Sequence, residues 1–382
     1  MAGNNLRTVD VGEQIKHLRT AVRIQINQLA NIVGISRNTI TNYESGKTEP
    51  TTGDLYKIAN ALGCRITDFF AEGLSEQALQ FAFRAHKAIT KNPLLMVAAR
   101  KYFHAYTEIE EITGTKLISK FRPFTFDPEE MPLEQWIQTA ADKTRESCDI
   151  ADSGPENILN VLENLGIRSL FFQTDADGLD GLSARQGDMS LIMLRERDRI
   201  IERTIFSAAH ELGHLVLHPK LYTASTEEEE NERDYEKEAD LFAGNFLVPT
   251  DDLMEIWNNE RLYNLPLVHA LISLKEVFRV SFWCLYNRVS QNHLTKIEYP
   301  QLITKVKKIL KIRGKAKMED LEPNPLPVDL LQKSTRFMRL VRSAFLQEKI
   351  GVAKVAELLQ ITVNQAKEIT AKWMAPQSEL VG

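Results

Sequence analysis

The 382-residue chain is 43% hydrophobic and 26% charged, which supplies enough apolar material for packed cores, suggests two to four domains and excludes a wholly disordered chain. The formal net charge of −5 is uneven: residues 1–75 are net +1, residues 76–300 net −13 and residues 301–382 net +7, so a basic end can meet nucleic acid while the acidic middle is poorly suited to lie on it. No apolar run reaches the roughly 18 residues of a membrane span. The N-terminus has no apolar signal core, and Cys64, Cys148 and Cys284 show no paired spacing, so a cytoplasmic protein whose thiols serve as small apolar side chains is expected.

Residues 12–22 place Ile15, Leu18 and Val22 at helical spacing. A short helix, QLANIVG, closes at Gly34, and another starts after Ser36, a good N-cap, and stops at Gly46. A helix over Thr51–Leu62 and a short one near Thr67–Phe70 complete a five-helix unit within residues 1–75. Two short helices joined by a tight glycine-containing turn make a helix-turn-helix. In its second helix Ile40 faces inward, while Arg37, Asn38, Thr41 and Asn42 face outward. Those residue types suit base edges and phosphates, and Ser36 and Lys47 complete the expected DNA-facing set. A protein-binding or dimerisation module is the alternative, which the low charge of the segment keeps open. The phrase GISRNTITNYESGKTEPT resembles the Xre/Cro/C1-type repressor family over about 60 residues. That family often has Gln at the start of its second helix; here the place is taken by Ile26, followed by Asn27 and Gln28.

Residues 76–129 read as a helical linker, with an aromatic-rich stretch at 101–113, and residues 130–298 as a mixed α+β unit. Within that unit, TIFSAAHELGHLVLHP (204–219) contains His210-Glu211-Leu212-Gly213-His214, an H-E-x-x-H. On a helix, i and i+4 share a face, so two imidazoles can hold one Zn²⁺ while Glu211 reaches a bound water as general base. A third ligand is needed. EKEADLFAGNFLVP (236–249) is read as a second helix on which Glu236 and Asp240 share a face. We assign Glu236 as third ligand and Asp240 as the carboxylate orienting a ligand imidazole, and rank Glu238, about 200° away, as the weaker candidate. His218 has three readings: a rival ligand, a group stabilising an oxyanion, or a helix-terminal histidine favoured by the macrodipole. A purely structural zinc site would close all four positions with protein ligands, and Glu211 would have no purpose in it.

The stretch over roughly 150–255 resembles the ImmA/IrrE family of metallopeptidases, on the strength of LGIRSLFF, the DGLDGLSA turn, GDMSLIMLR (187–195), Arg203, Phe206, HELGHLVLH and EKEADLFAGNFLVP. The resemblance implies a gluzincin-like site with one zinc ion per chain, held by His210, His214 and Glu236. It also implies a substrate strand lying beside 188–195 and cleavage or inactivation of a repressor protein in response to stress or DNA damage. Self-cleavage is a further option, because this chain carries its own helix-turn-helix.

Residues 299–382 read as helical, with a Pro-rich joint at Glu322–Pro327. KVAELLQITVNQA echoes QLANIVGISRNTI, with Gln360 in place of Gly34, which reads as a degenerate second helix-turn-helix, serving either DNA contact or a packing, dimer or regulatory role. The acidic run Glu227–Glu230 is read as a solvated loop. The expected fold is mainly α with a small β-sheet (α+β). The expected protein is a homodimeric regulator that binds double-stranded operator DNA and cuts a regulatory protein. The alternatives are a transcription factor whose zinc domain only senses a ligand or partner, and an antitoxin-like regulator.

Overall fold

A computed structural model describes residues 10–22, 24–70, 82–83, 93–127, 129–148, 158–172, 179–196, 201–222, 233–312 and 335–375. The acidic run, the Pro-rich joint and the first residues of the DGLDGLSA turn lie outside them. Among the described residues no helix is long and apolar enough to cross a membrane.

The N-terminal unit is α1 (Val11–Ala21), α2 (Ile26–Val33), α3 (Arg37–Glu44), α4 (Thr52–Leu62) and a 3-10 turn (Ile66–Phe69). Side-chain caps start the helices: Asp10, Ser36 and Thr51 accept from backbone N–H groups at the first turns of α1, α3 and α4. Gly34 ends α2 with φ 75°, the left-handed conformation glycine adopts without steric cost. Ile15, Leu18, Leu29, Ile40, Ile58 and Leu62 form the interior of the unit. Arg19 and Glu44 close it from the side, with Arg19 Nε 2.6 Å and Nη2 2.9 Å from the carboxylate.

The long helix α5 (Pro93–Thr113) follows, then α6 (Leu133–Cys148) and α7 (Ile158–Asn164). The sheet has order β1–β3–β4–β2, with β1 Ala82–Phe83, β2 Ile167–Phe172, β3 Gly181–Gln186 and β4 Met189–Arg195. β3 runs antiparallel to β4, and β2 runs parallel to it. Every residue of β4 from Ser190 to Leu194 is buried, because both faces of the sheet are covered. Ile192 and Leu194 join a core built on α8 (Ile201–Leu217), α9 (Tyr235–Leu247) and α6. Leu191 and Met193, pointing the other way, join a core shared with α5, the N-terminal unit and the C-terminal helices. Strand β4 is therefore a central strand. It cannot take a substrate strand along an edge, as expected for 188–195; the edge strands are β1 and β2.

After α9 come α10 (Thr250–Asn259), α11 (Leu267–Phe278), α12 (Phe282–Gln291) and α13 (Tyr299–Ile312). Leu302 and Val306 of α13 belong to the α8–α9 core. The C-terminal helices α14 (Arg336–Leu346), α15 (Val352–Leu359) and α16 (Val363–Met374) belong instead to the core behind the sheet. Burial pushes the thiols of Cys64, Cys148 and Cys284 up to about 12, consistent with unreactive apolar packing.

Helices α8 and α9 approach closely at Gly213, where an added Cβ would lie 3.0–3.2 Å from three carbons of Phe242. Phe242 is fully buried and has nowhere to retreat. Replacing a helical glycine gains up to about 1 kcal/mol of propensity, and overpacking costs about 1–3 kcal/mol. A β-branched side chain captures little of the gain, so Gly213→Val should lower stability by about 1–3 kcal/mol, read as a lower urea midpoint. An unchanged midpoint would show that this contact does not set the helix spacing.

Candidate metal centre and helix-turn-helix face

Two helices bring the expected ligands together. α8 is a seventeen-residue helix, long enough to carry His210 and His214 one turn apart with Glu211 beside them. α9 is capped by Asp234, whose side chain accepts from Lys237 N–H, so Glu236 and Asp240 lie within its first two turns. The Nε2 atoms of His210 and His214 are 3.0 Å apart. Glu236 Oε2 lies 3.4 Å from His210 Nε2 and 4.0 Å from His214 Nε2. Among the described residues, His210, His214 and Glu236 are the group whose ligand atoms all fall within 4.8 Å of one another.

The chemistry of this set fits a cation. Ligands at about 2.0–2.2 Å from a tetrahedral zinc lie roughly 3.3 Å from each other, and the separations here bracket that value. The outer nitrogen of each imidazole is already engaged: His210 Nδ1 lies 2.8 Å from Asp240 Oδ1, and His214 Nδ1 lies 2.9 Å from His218 Nδ1. The two Nε2 atoms are thereby left facing each other and a carboxylate. His214 is fully buried, but Glu236 and Asp240 have side-chain exposures of 54% and 59%, so the cluster opens to solvent on the α9 side. That one-sided opening is what a site with a free coordination position needs.

Glu211 is 5% exposed, and its carboxylate is held from the sheet. Ser183 of β3 donates to its Oε2 at 2.5 Å, and Ser183 Oγ lies 2.7 Å from Tyr222 Oη. Tyr222 closes the 3-10 turn Pro219–Tyr222 that follows α8. Gly181, two residues along β3 and so on the same face as Ser183, leaves room for Glu211: a Cβ there would sit 3.1 Å from Glu211 Cγ. Sequence reasoning missed Ser183, Tyr222 and Gly181. The available signal was the alternation of β3, which puts 181 and 183 on one face, but nothing in the sequence tells which face meets α8.

His218 is 3% exposed, directly follows the last residue of α8 and stands behind His214, outside the group of converging ligand atoms. Its Nε2 lies 2.9 Å from Glu238 Oε2, and its ring lies 4.7 Å from that of Tyr235. Glu238, ranked as the weaker ligand, is 2% exposed and also accepts from Arg233 Nε and Nη2 at 2.8 and 2.5 Å. Burial works against its charge, yet the hydrogen bonds from His218 and Arg233 outweigh this and hold the carboxyl below its ordinary range.

At the other end of the chain, Ser36 Oγ caps α3 by accepting from Thr39 N–H at 3.0 Å. Arg37, Asn38, Thr41 and Lys47 are exposed, Asn42 is half-buried and Ile40 is fully buried. Thr41 Oγ1 donates to Arg37 O at 3.0 Å. Gln25, unremarked in the sequence, is the N-cap of α2, and its N–H is bonded back to Gln28 Oε1 at 3.0 Å.

Residues 162–290 match the family described as the IrrE N-terminal-like domain, and residues 15–69 match the helix-turn-helix family. An SPbeta prophage-derived uncharacterized HTH-type transcriptional regulator of Bacillus subtilis is 38% identical over 66 residues, which is 17% of this chain and 60% of that protein. An uncharacterized transcriptional regulator in the ATPase CF(0) region of Rhodospirillum rubrum is 36% identical over 62 residues, 16% of this chain and 57% of that one. The match thus spans about three-fifths of each curated relative. The crystal structure of ComR from Streptococcus suis aligns over 96% of both chains at 13% identity, with a TM-score of 0.16 that is too low to bear on the fold. The chain joins a helix-turn-helix unit of the Xre type to an IrrE N-terminal-like domain.

Proposed function

We propose that the protein is a DNA-binding regulator with a zinc-dependent endopeptidase centre that cuts a regulatory protein. The observation that carries the reading is the convergence of His210 Nε2, His214 Nε2 and Glu236 Oε2 beside a carboxylate, Glu211, that is not one of the ligands. When bound, zinc supplies Lewis-acid activation of water and of a peptide carbonyl. Glu211 takes a proton from the attacking water and hands it to the leaving amine. Ser183, donating at 2.5 Å, steadies the carboxylate on the side away from the reacting atoms. Asp240 holds His210 in the form with a free Nε2. The substrate is an extended segment of a repressor-like protein that approaches from the open α9 side. The helix-turn-helix reads operator DNA through Arg37, Asn38, Thr41 and Asn42, with Ser36 and Lys47 at the ends of the face. Two copies engage two half-sites, as a cytoplasmic homodimer.

Purified wild-type protein should hold about one zinc per chain, measured by elemental analysis. His214→Ala and Glu236→Ala should both lose it, and a folded wild type without metal would end the zinc reading. Glu211→Gln should keep the metal and the operator complex while cleavage of the repressor falls at least a hundredfold, in line with general-base loss. If cellular regulation is unchanged by that substitution, the domain acts as a sensor and not as a peptidase. Arg37→Ala should weaken operator binding by about 1–3 kcal/mol and relax the preference at one base position. A gel shift identical to wild type would remove Arg37 from the reading face.

A further inference from the structure

Behind His214 three side chains stand in line. His214 Nδ1 is 2.9 Å from His218 Nδ1, His218 Nε2 is 2.9 Å from Glu238 Oε2, and Glu238 accepts twice from the Arg233 guanidinium. His214, His218 and Glu238 are 0%, 3% and 2% exposed, so the protein, not bulk water, sets where their hydrogens lie.

The polarity of this line follows from donor and acceptor chemistry. An ionised carboxylate only accepts, so His218 carries its hydrogen on Nε2. A neutral imidazole has a single N–H, which leaves His218 Nδ1 as a lone pair. The hydrogen between the two Nδ1 atoms therefore belongs to His214. That places the His214 lone pair on Nε2, the nitrogen facing His210 Nε2 at 3.0 Å and Glu236 Oε2 at 4.0 Å. The opposite polarity would put the His214 hydrogen in the middle of the ligand cluster. Asp240 does the same for His210 in one step, through an exposed carboxylate.

We infer that Arg233, Glu238 and His218 form a positioning relay that fixes His214 as the Nδ1–H tautomer and aims its Nε2 at the cation. None of the three touches the metal or the substrate. Inserting a ring between ligand and carboxylate lets a fully buried histidine be oriented while the negative charge stays one side chain away, neutralised by Arg233. This rests on the zinc-site reading above.

The test is zinc affinity, by competition with a chelator, on the full chain. His218→Phe keeps a ring and removes the acceptor. Glu238→Leu removes the anchor, and Glu238→Gln keeps an oxygen that accepts from His218. The first two should weaken zinc binding about 10–100-fold, the usual effect of losing an outer partner of a ligand histidine. Glu238→Gln should stay within a few-fold of wild type. Melting of the metal-free forms shows which variants fold. In parallel, ¹⁵N-histidine NMR of zinc-loaded wild type should show His218 protonated at Nε2 and bare at Nδ1, a readout that mere packing does not fix. A hydrogen on His218 Nδ1 overturns the relay, as does wild-type affinity in a folded His218→Phe. If His218→Phe does not fold, equal zinc affinity in Glu238→Leu and wild type overturns it. Zinc binding that responds as expected, without cleavage of any substrate, upholds the relay and defeats the peptidase reading. A wild type that takes up no zinc defeats both.

Discussion

The separation of α8 and α9 decides whether there is a site at all. Two candidate ligands come from one helix and one from the other, and a metal site holds its ligand distances to within about 0.2 Å. The separation is fixed by packing. Gly213 lets Phe242 lie directly on the α8 backbone, and Phe242 stacks with Phe246 one turn on, ring centroids 5.8 Å apart. Polar clamps then hold the far end of α9. Arg145 Nη1 donates to Phe246 O at 2.8 Å, Arg288 Nε donates to Val248 O at 3.0 Å, and Arg288 Nη2 donates to Thr250 Oγ1 at 2.8 Å. The first two satisfy carbonyls that the helix end leaves without an intrahelical partner. Burial lowers Arg288 to about 10, still far above neutrality, so the clamp stays charged.

A second constraint lies behind the sheet. Glu110 of α5 is 2% exposed and accepts from Arg168 of β2 at 2.6 and 3.1 Å and from Arg336 of α14 at 2.6 Å. Glu163 adds Arg339 at 2.6 Å. Buried ion pairs contribute little net stability, because desolvation offsets their attraction, but removing one partner strands the other at a cost of about 3–5 kcal/mol. Such a network works as a register pin. The arginines come from β2 and α14 and the carboxylates from α5 and α7, and only one mutual placement of strand, helices and C-terminal unit satisfies all of them. At the other end of α5, a Cβ on Gly63 would lie 2.6 Å from Val97 O, so the N-terminal unit is seated on the same helix.

The periodic parts of this arrangement were legible in the sequence. Ile15, Leu18 and Ile40 sit in the core as their spacing requires, and the i, i+4 pairs 210/214 and 236/240 fall on facing sides of two helices. What periodicity could not reveal is anything that depends on which face meets which neighbour. Ser183 reaches Glu211 only because β3 turns that face to α8, and strand order, not strand content, excludes β4 from substrate pairing. Glu238 looks badly placed when measured as an angle from Glu236 on its own helix, and His218 has no single reading from its own. They are well placed for each other, twenty residues apart, across the helix pair. A single-helix projection carries no such information, so the pairing of His218 with Glu238 was out of reach, while the i, i+4 spacings brought out His210, His214, Glu236 and Asp240 as one cluster.

The echo between the two ends of the chain extends into the backbone. A shift of 326 residues carries Ile26–Val33 onto Val352–Leu359, Ser36 onto Thr362 and Ile40 onto the buried Ala366. Gln360 stands where Gly34 does and adopts φ 56°, the same left-handed turn. Its N–H bonds back into the helix just as Gly34 does, and Thr362 caps α16 as Ser36 caps α3. Leaving glycine for glutamine at such a φ costs roughly 1 kcal/mol, so the turn is held by the packing around it, with Val355, Ala356 and Leu358 buried. The outward faces have diverged. Arg37 becomes Val363, Thr41 becomes Lys367 and Asn42 becomes Glu368, which moves the cation from the first turn to the second, adds a carboxylate and exposes an apolar side chain. The buried Arg19–Glu44 pair becomes Phe345 and Thr370. Two of the basic side chains of this unit, Arg336 and Arg339, are spent on Glu110 and Glu163. A phosphate-tracking surface needs cations free to replace counterions. The same three-helix geometry thus serves two ends: one copy presents Arg37, Asn38 and Thr41 outward, and the other ties two of its arginines to Glu110 and Glu163, which seats the C-terminal unit on α5 and α7.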